Sequence, residues 1–376
     1  MKPSLNHAVS EKTAQPLRVL ALTRYTRRAP SSRLRFYNLQ APLVNHGITL
    51  DCVPFFSEDY LAKRYAGQRA SIPDVLASYA RRLAMLPQLS SYDTLWIQAE
   101  MLPLLPGWLE TLLLRLFAKR WVLDIDDALF LPHEGASLPL LRRLLASKIP
   151  RLSRQADLCS ITHAYCGAML QAQGGRYDVV LGQGLDLERY AVAPRAREAP
   201  VTIGWIGTPS TAHRYLPLVV DTLNRLQDTT GCRVVLMGAG DAAPTLRAER
   251  LEWREDAEVA AVQSFDIGIM PLLDTPWEKG KSGLKLAQSM ACGRVAVGTA
   301  VGFNHDLITH GIDGILVPPG AEGWYDALLP LLQDYTLRER LGTAARRKIE
   351  ANFDLRNVIE RIATMLHRAA GTMPTV

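Results

Sequence analysis

The sequence predicts an α/β fold of two doubly wound parallel-sheet domains facing a cleft. Three observations carry this. The chain has 376 residues, a length that suits two domains. Short apolar runs alternate with helical stretches in both halves, the pattern of parallel strands covered on both faces. Residues 192–200 are rich in Pro, Ala and charge, have no apolar period, and divide the two series.

The elements follow in chain order. Residues 1–16 are polar, lack the apolar h-region of a signal peptide, and read as a disordered tail. Residues 17–192 read as the first domain, with strands expected at 17–23, 49–55, 93–99, 120–126, 156–162 and 177–182. Residues 193–352 read as the second, with strands at 201–207, 232–238, 265–271, 294–299 and 314–318. After Pro319 the chain reads as helical nearly to its end. The most apolar stretch, 102–121, is interrupted by Pro103, Pro106, Glu110 and Arg115, so no run has the length of a membrane span.

Composition narrows the function classes. Apolar content of 48% and charged content of 21% belong to an ordinary soluble domain protein. Cys52, Cys159, Cys166, Cys232 and Cys292 show no metal or redox spacing and read as reduced thiols, which points to the cytoplasm. The net charge of +6 is uneven: residues 1–190 hold 23 Lys+Arg against 16 Asp+Glu, residues 191–376 hold 20 against 21. No nucleic-acid module accompanies the basic half, so a nucleic-acid partner is not expected. An anionic small ligand or an anionic membrane surface fits instead. Residues 138–154 carry Arg142, Arg143, Lys148, Arg151 and Arg154 among leucines with no acid. That stretch suits either peripheral contact with an anionic membrane or a core helix with a solvated basic edge.

Ligands of doubly wound sheets bind beyond the carboxyl ends of the strands. The most informative such segment runs from Trp277 to Gly293 as a cationic, glycine-bearing loop entering a helix. Its ammonium groups Lys281 and Lys285, with Ser282 and the helix N-terminus, are what a diphosphate requires. The two lysines would share a helical face, where an anion between them turns mild repulsion into attraction. Gly280-Lys281-Ser282 is not a P-loop, because Thr275 stands where that motif needs glycine. After the strand at 201–207, Gly207 permits close approach, and Thr208, Ser210, Thr211 and His213 lead into a helix that Ser210 and Thr211 are expected to cap. Gly238-Ala239-Gly240 lacks a third glycine and a following acid, which argues against a dinucleotide site. In the first half, Asp124, Asp126 and Asp127 end a strand, with Asp124 and Asp126 on one face. Such carboxylates serve as a metal site, a base, acceptors for sugar hydroxyls, or helix caps. Arg33 and Arg35 open the first helix and favour phosphate or carboxylate if they face the cleft. Of His133, His163 and His213, which lie near strand–helix junctions, His213 is the best functional candidate because of its neighbours.

These segments together resemble the family-4-type, group 1 glycosyltransferases of GT-B architecture. The carriers are 203–213, 265–272, 280–293 and 313–317, and more loosely 97–100, 124–127 and 184–186. The likeness covers most of residues 17–365. It implies two Rossmann-like domains, a nucleoside-diphosphate sugar held mainly by the second, and a C-terminal crossover helix at about 353–370. It further implies transfer to an acceptor hydroxyl with retention, no essential metal, and no cofactor beyond the donor. The acceptor would be a glycan or lipid-linked precursor. By the same likeness Gly238 lines the donor site, Gln288 holds the ribose, and Glu100 stands with Arg33 and Arg35 on the acceptor side. Asp126 or Asp127 then positions or deprotonates the acceptor, and Lys285 steadies the leaving group.

Two departures stand out. The family's glutamate pair is replaced by Gly280 and Gln288, and its usual arginine by Thr208. They keep two rival readings in view: a sugar-nucleotide-binding protein of the same fold that does not transfer, and a sugar-nucleotide epimerase.

Overall fold

The structure, a computed structural model, describes residues 15–68, 71–128, 131, 147–194 and 200–372. The first sheet comprises β1 (Leu17–Thr23), β2 (Ile48–Pro54), β3 (Thr94–Gln98), β4 (Trp121–Ile125), β5 (Leu158–Ile161) and β6 (Val179–Val180). The second comprises β7 (Thr202–Ile206), β8 (Arg233–Met237), β9 (Glu249–Leu251), β10 (Ile267–Met270), β11 (Val295–Thr299) and β12 (Ile315–Val317). Strand orders are β2-β1-β3-β4-β5-β6 and β12-β11-β10-β7-β8-β9, with every pairing parallel. The order reverses between β1 and β3 and again between β7 and β10. A crevice opens at each reversal, beyond the carboxyl ends of those strands.

The helices that position the site are α1 (Pro30–Arg35), α2 (Ile72–Ala84), α3 (Gly107–Phe117), α4 (Lys148–Gln155), α5 (Pro209–Tyr215), α6 (Glu258–Ser264), α7 (Leu284–Ala291), α8 (Tyr335–Asn352) and α9 (Leu355–Ala370). Their ends follow local chemistry. The α5 cap is Thr208 rather than Ser210, because Pro209 occupies the first helical position and Thr211 Oγ1 accepts the Thr208 N–H at 3.1 Å. Asp354 caps α9 by accepting from the Arg356 N–H at 2.9 Å, and Gly371 ends it at φ 74°.

Two strands differ from the sequence expectation. β9 has the sequence Glu-Arg-Leu, with no apolar run, and exists as an edge strand paired through its backbone to β8. β6 contracts to two residues because Gly182, at φ 81°, turns the chain away. Leu185 and Tyr190 pack in a core cluster of the second domain. Leu185 also exchanges backbone hydrogen bonds with Phe353 and Leu355 at 2.9 and 3.0 Å. The two crossings between domains therefore run side by side.

Each sheet is covered on both faces. Val358, Ile359, Ile362, Met365 and Leu366 of α9 return to the first sheet and cover Leu17, Val19, Leu50 and Trp96. Burial contributes roughly 1.5–3 kcal/mol for each such side chain. Among the described residues no helix is long and apolar enough to cross a membrane.

Candidate active site

A cavity of about 620 Å³ lies between the two sheets and is lined by both domains. The second domain contributes the turn after β7, Gly238 after β8, the segment after β9, and the stretch from Lys281 to Gln288. Gly283, at φ 67°, turns the chain into α7, so Lys281 precedes the helix instead of sharing a helical face with Lys285. Both lysines nevertheless line the cavity. Lys281 Nζ stands 5.4 Å from the Trp277 ring centroid. Lys285 Nζ stands 4.2 Å from the Trp205 ring centroid and 3.4 Å from Thr211 Oγ1. Among the described residues neither ammonium pairs with a carboxylate. Burial, then the Lys281 charge, pulls the Lys285 pKa down to about 7. An anion placed between the two would relieve both effects.

Gln288 and Glu258 line the cavity on the second-domain side. Gln288 Nε2 donates to Glu258 Oε1 at 2.9 Å and to the Tyr190 hydroxyl at 2.7 Å. Glu258 Oε1 also accepts from the Tyr190 hydroxyl at 2.5 Å. Its Oε2 accepts from Arg33 Nη2 at 2.8 Å and from Trp253 Nε1 at 2.9 Å. Four donors therefore saturate this buried carboxylate. The same bonds fix the Gln288 amide, because only its NH₂ can face a carboxylate. Gln288 Oε1 is left as the acceptor available to the cavity. Glu258, Trp253 and Tyr190 were not singled out from the sequence: a first-turn glutamate and two aromatics carry no local signal of a shared site.

On the first-domain side, Asp126, Asp127, Arg33, Arg35, Ser31 and Tyr65 are among the lining residues. Asp126 Oδ2 accepts from Gln98 Nε2 at 3.1 Å, and its Oδ1 accepts from the Asp127 N–H at 3.0 Å. Burial, then Asp127 and Asp124, pushes the Asp126 pKa up to about 7. Asp124 does not join them. Its two oxygens accept from Arg35 Nε and Nη2 at 2.8 Å each, and Ser160 Oγ adds a third bond at 2.5 Å. Arg35 is thereby committed to Asp124 and to the Gly182 carbonyl. Among the described residues no group of three or more His, Cys, Asp or Glu side chains is arranged to hold a metal ion.

Other residues singled out from the sequence are dispersed. Gly207, Thr208, Thr211, Gly238 and Ser282 line the cavity, whereas Ser210, His213 and Glu100 do not. His213 is exposed, with Nδ1 at 2.9 Å from the Pro209 carbonyl oxygen and Nε2 at 3.5 Å from Asp241. Glu100 pairs with Arg24 at 3.2 Å and Lys148 at 2.8 Å. His163 is buried, stacks on Phe303 of the second domain at 4.5 Å, and has its pKa lowered by that burial. His133 lies outside the described residues, as do residues 138–146 of the basic stretch. The described part of that stretch, α4, buries Lys148, Ile149 and Leu152 and behaves as a core helix, with Arg151 and Arg154 exposed.

Gly280, at the first of the two replaced glutamate positions, has no room for a side chain. A Cβ there would stand 2.2 Å from the Ala128 Cβ of the first domain. The replacement thus accompanies a close contact between domains.

Comparisons bear on family and fold. Residues 200–334 match the family model of group 1 glycosyl transferases. The N-acetyl-alpha-D-glucosaminyl L-malate synthase of Bacillus anthracis is 33% identical over 91 residues. That match spans 24% of this chain and 24% of the relative. The Anabaena HepE structure in complex with UDP and glucose superposes with a TM-score of 0.69 at 14% identity, covering 93% of this chain and 99% of that one. Sucrose-phosphate synthase from Thermosynechococcus elongatus gives 0.68 at 14% identity, covering 94% and 98%. At such identities the likeness is one of fold, and that fold is GT-B.

Proposed function

From the match of residues 200–334 to the group 1 glycosyl transferase model and the GT-B fold, we propose that this chain is a glycosyltransferase that moves a sugar from a nucleoside-diphosphate donor to an acceptor hydroxyl. The carrying observation is the pair of ammonium groups, Lys281 and Lys285, facing a cavity between two domains with no carboxylate partner among the described residues. Breaking the anomeric C–O bond gathers negative charge on the leaving diphosphate. Fixed cations aimed at that position stabilise the transition state more than the ground state.

Each residue then has a definite task. Gln288 Oε1 accepts from a ribose hydroxyl. Lys281 and Lys285 hold the diphosphate against the turn after β7. Asp126, whose carboxyl titrates near 7, receives the acceptor proton. The donor is held by one domain and the acceptor by the other; retention of configuration and independence of a metal are proposed from the likeness to the family alone. HepE is described with UDP and glucose, which supports a uridine nucleotide as the first donor to try. A glycan or lipid-linked hydroxyl is the acceptor class.

The test is turnover with a panel of nucleotide sugars, paired with calorimetry of UDP. Lys285→Ala should weaken UDP binding by 1.5–3 kcal/mol, about 10- to 150-fold. Unchanged UDP binding and turnover in that variant would falsify the assignment.

A further inference from the structure

Among the described residues, seven of the twelve exposed large apolar side chains fall within residues 72–116. Ile72, Leu76 and Leu83 recur at helical spacing on α2, and Trp108, Leu112 and Leu116 at four-residue spacing on α3. Ile72 is 74% exposed and Leu116 is 67% exposed. A surface helix ordinarily turns such a stripe inward. Here the inward faces are already supplied, by Ser78, Arg82 and Val75 on α2 and by Glu110, Leu113 and Leu114 on α3. The exposed stripes are therefore surplus to the core, and clustering of this kind marks an interaction surface.

The turn between β3 and α3 ties the two helices together. The Tyr79 hydroxyl of α2 donates to the Pro103 carbonyl. The Glu110 carboxylate accepts from the Met101 and Leu102 N–H groups, and Lys148 Nζ donates to the Leu102 carbonyl at 2.6 Å while pairing with Glu110 at 3.0 Å. This buried cluster holds Leu104 at φ 65° with its side chain 59% exposed. A bulky residue with left-handed backbone costs about 1–3 kcal/mol, and here that conformation presents an apolar side chain to solvent.

Charge identifies the occupant. Arg81 on α2, Arg115 on α3, and Arg151 and Arg154 on neighbouring α4 are exposed. Arg115 reaches α4 through Gln155 at 2.5 Å. Among the described residues none of the four arginines pairs with a carboxylate. A second copy of this chain would bring the same cations against one another. An apolar face bordered by unneutralised arginines complements a bilayer with anionic headgroups. We propose that the α2–α3 face of the first domain seats this protein on an anionic membrane surface. Helix α3 connects β3 to its neighbour β4, and Asp126 and Asp127 follow the carboxyl end of β4. Attachment itself requires neither donor nor turnover and stands apart from the proposed transfer.

The test is co-sedimentation of the full chain with phosphatidylcholine vesicles, with and without phosphatidylglycerol. Binding is expected only with phosphatidylglycerol and should weaken with added salt. The double variant Leu112→Glu and Leu116→Glu should reduce the vesicle partition coefficient at least about tenfold. Arg115→Glu with Arg151→Glu should remove most of the salt-sensitive part. All four side chains are exposed, so unchanged thermal melting and UDP binding would show that the fold is retained. Absence of wild-type binding to the anionic vesicles overturns the proposal, as does binding that survives the double leucine variant. A dimer in light scattering that the leucine variant converts to monomer would give the face to a second copy instead.

Discussion

Asp126 and Lys285 face one cavity with opposite electrostatic problems. Asp126 is a carboxyl raised to about 7 by burial and by its acidic neighbours. Its contribution to stability is full below the usual carboxylate range and is lost as the pH rises through about 7. Asp126→Asn should therefore raise the melting temperature at pH 8 while lowering kcat about 10²- to 10⁴-fold. A melting temperature that falls, or a kcat that holds, would remove Asp126 from the role of base. Lys285 is lowered to about 7, so its stabilising share is present above the ordinary lysine range and is lost as the pH falls through about 7. A diphosphate restores the charged form. UDP binding above pH 7 should therefore take up a proton, visible as buffer-dependent heat in calorimetry. Lys285→Met should abolish that uptake.

At the scale of elements, strand–helix alternation made both sheets legible, because buried parallel strands are near-continuous apolar runs. β9 was not, since Glu249 and Arg250 carry no such signal and only pairing to β8 makes the strand. The same division runs through the site. The turn after β7 and the lysines before α7 declare themselves through glycine, hydroxyl and charge within a few residues. Glu258 does not. Its partners Gln288, Tyr190 and Arg33 lie 30, 68 and 225 residues away, and only tertiary folding assembles them. Gly280 shows why likeness to a motif misleads at one position. Gly280→Glu, which restores the residue usual in the family, should not improve donor binding. It should lower stability by about 1–3 kcal/mol through its clash with Ala128, read from chemical denaturation midpoints. A gain in UDP affinity without that loss would show that the contact yields.

At the scale of the molecule, a few contacts hold the domains closed. Arg33, buried against the Trp253 ring at 4.5 Å, pairs with Glu258 at 2.8 Å. Arg27 pairs with Glu255 at 2.8 Å on the rim, where Arg27 is exposed and Glu255 partly so. Exposed pairs contribute about 0–1 kcal/mol, whereas removing one partner of a buried pair costs about 3–5 kcal/mol. Arg33→Ala should therefore enlarge the radius of gyration in small-angle scattering and weaken UDP binding, because Glu258 no longer orients Gln288 within a neutral network. Arg27→Ala should leave the radius unchanged. Equal behaviour of the two variants would mean that the domains are held elsewhere.

The return of α9 to the first sheet makes that domain the product of two widely separated parts of the sequence. A ribosome releases β1 to β6, with Phe36, Leu39 and Leu43, early, but delivers the α9 share of the roof over Val19 and Trp96 only after the second domain. Throughout synthesis of the intervening half, part of one face of the nascent sheet stays bare and open to wrong partners. The part translated first is thus the last to become complete, and a chain stopped near residue 350 would leave the ribosome with that face partly uncovered.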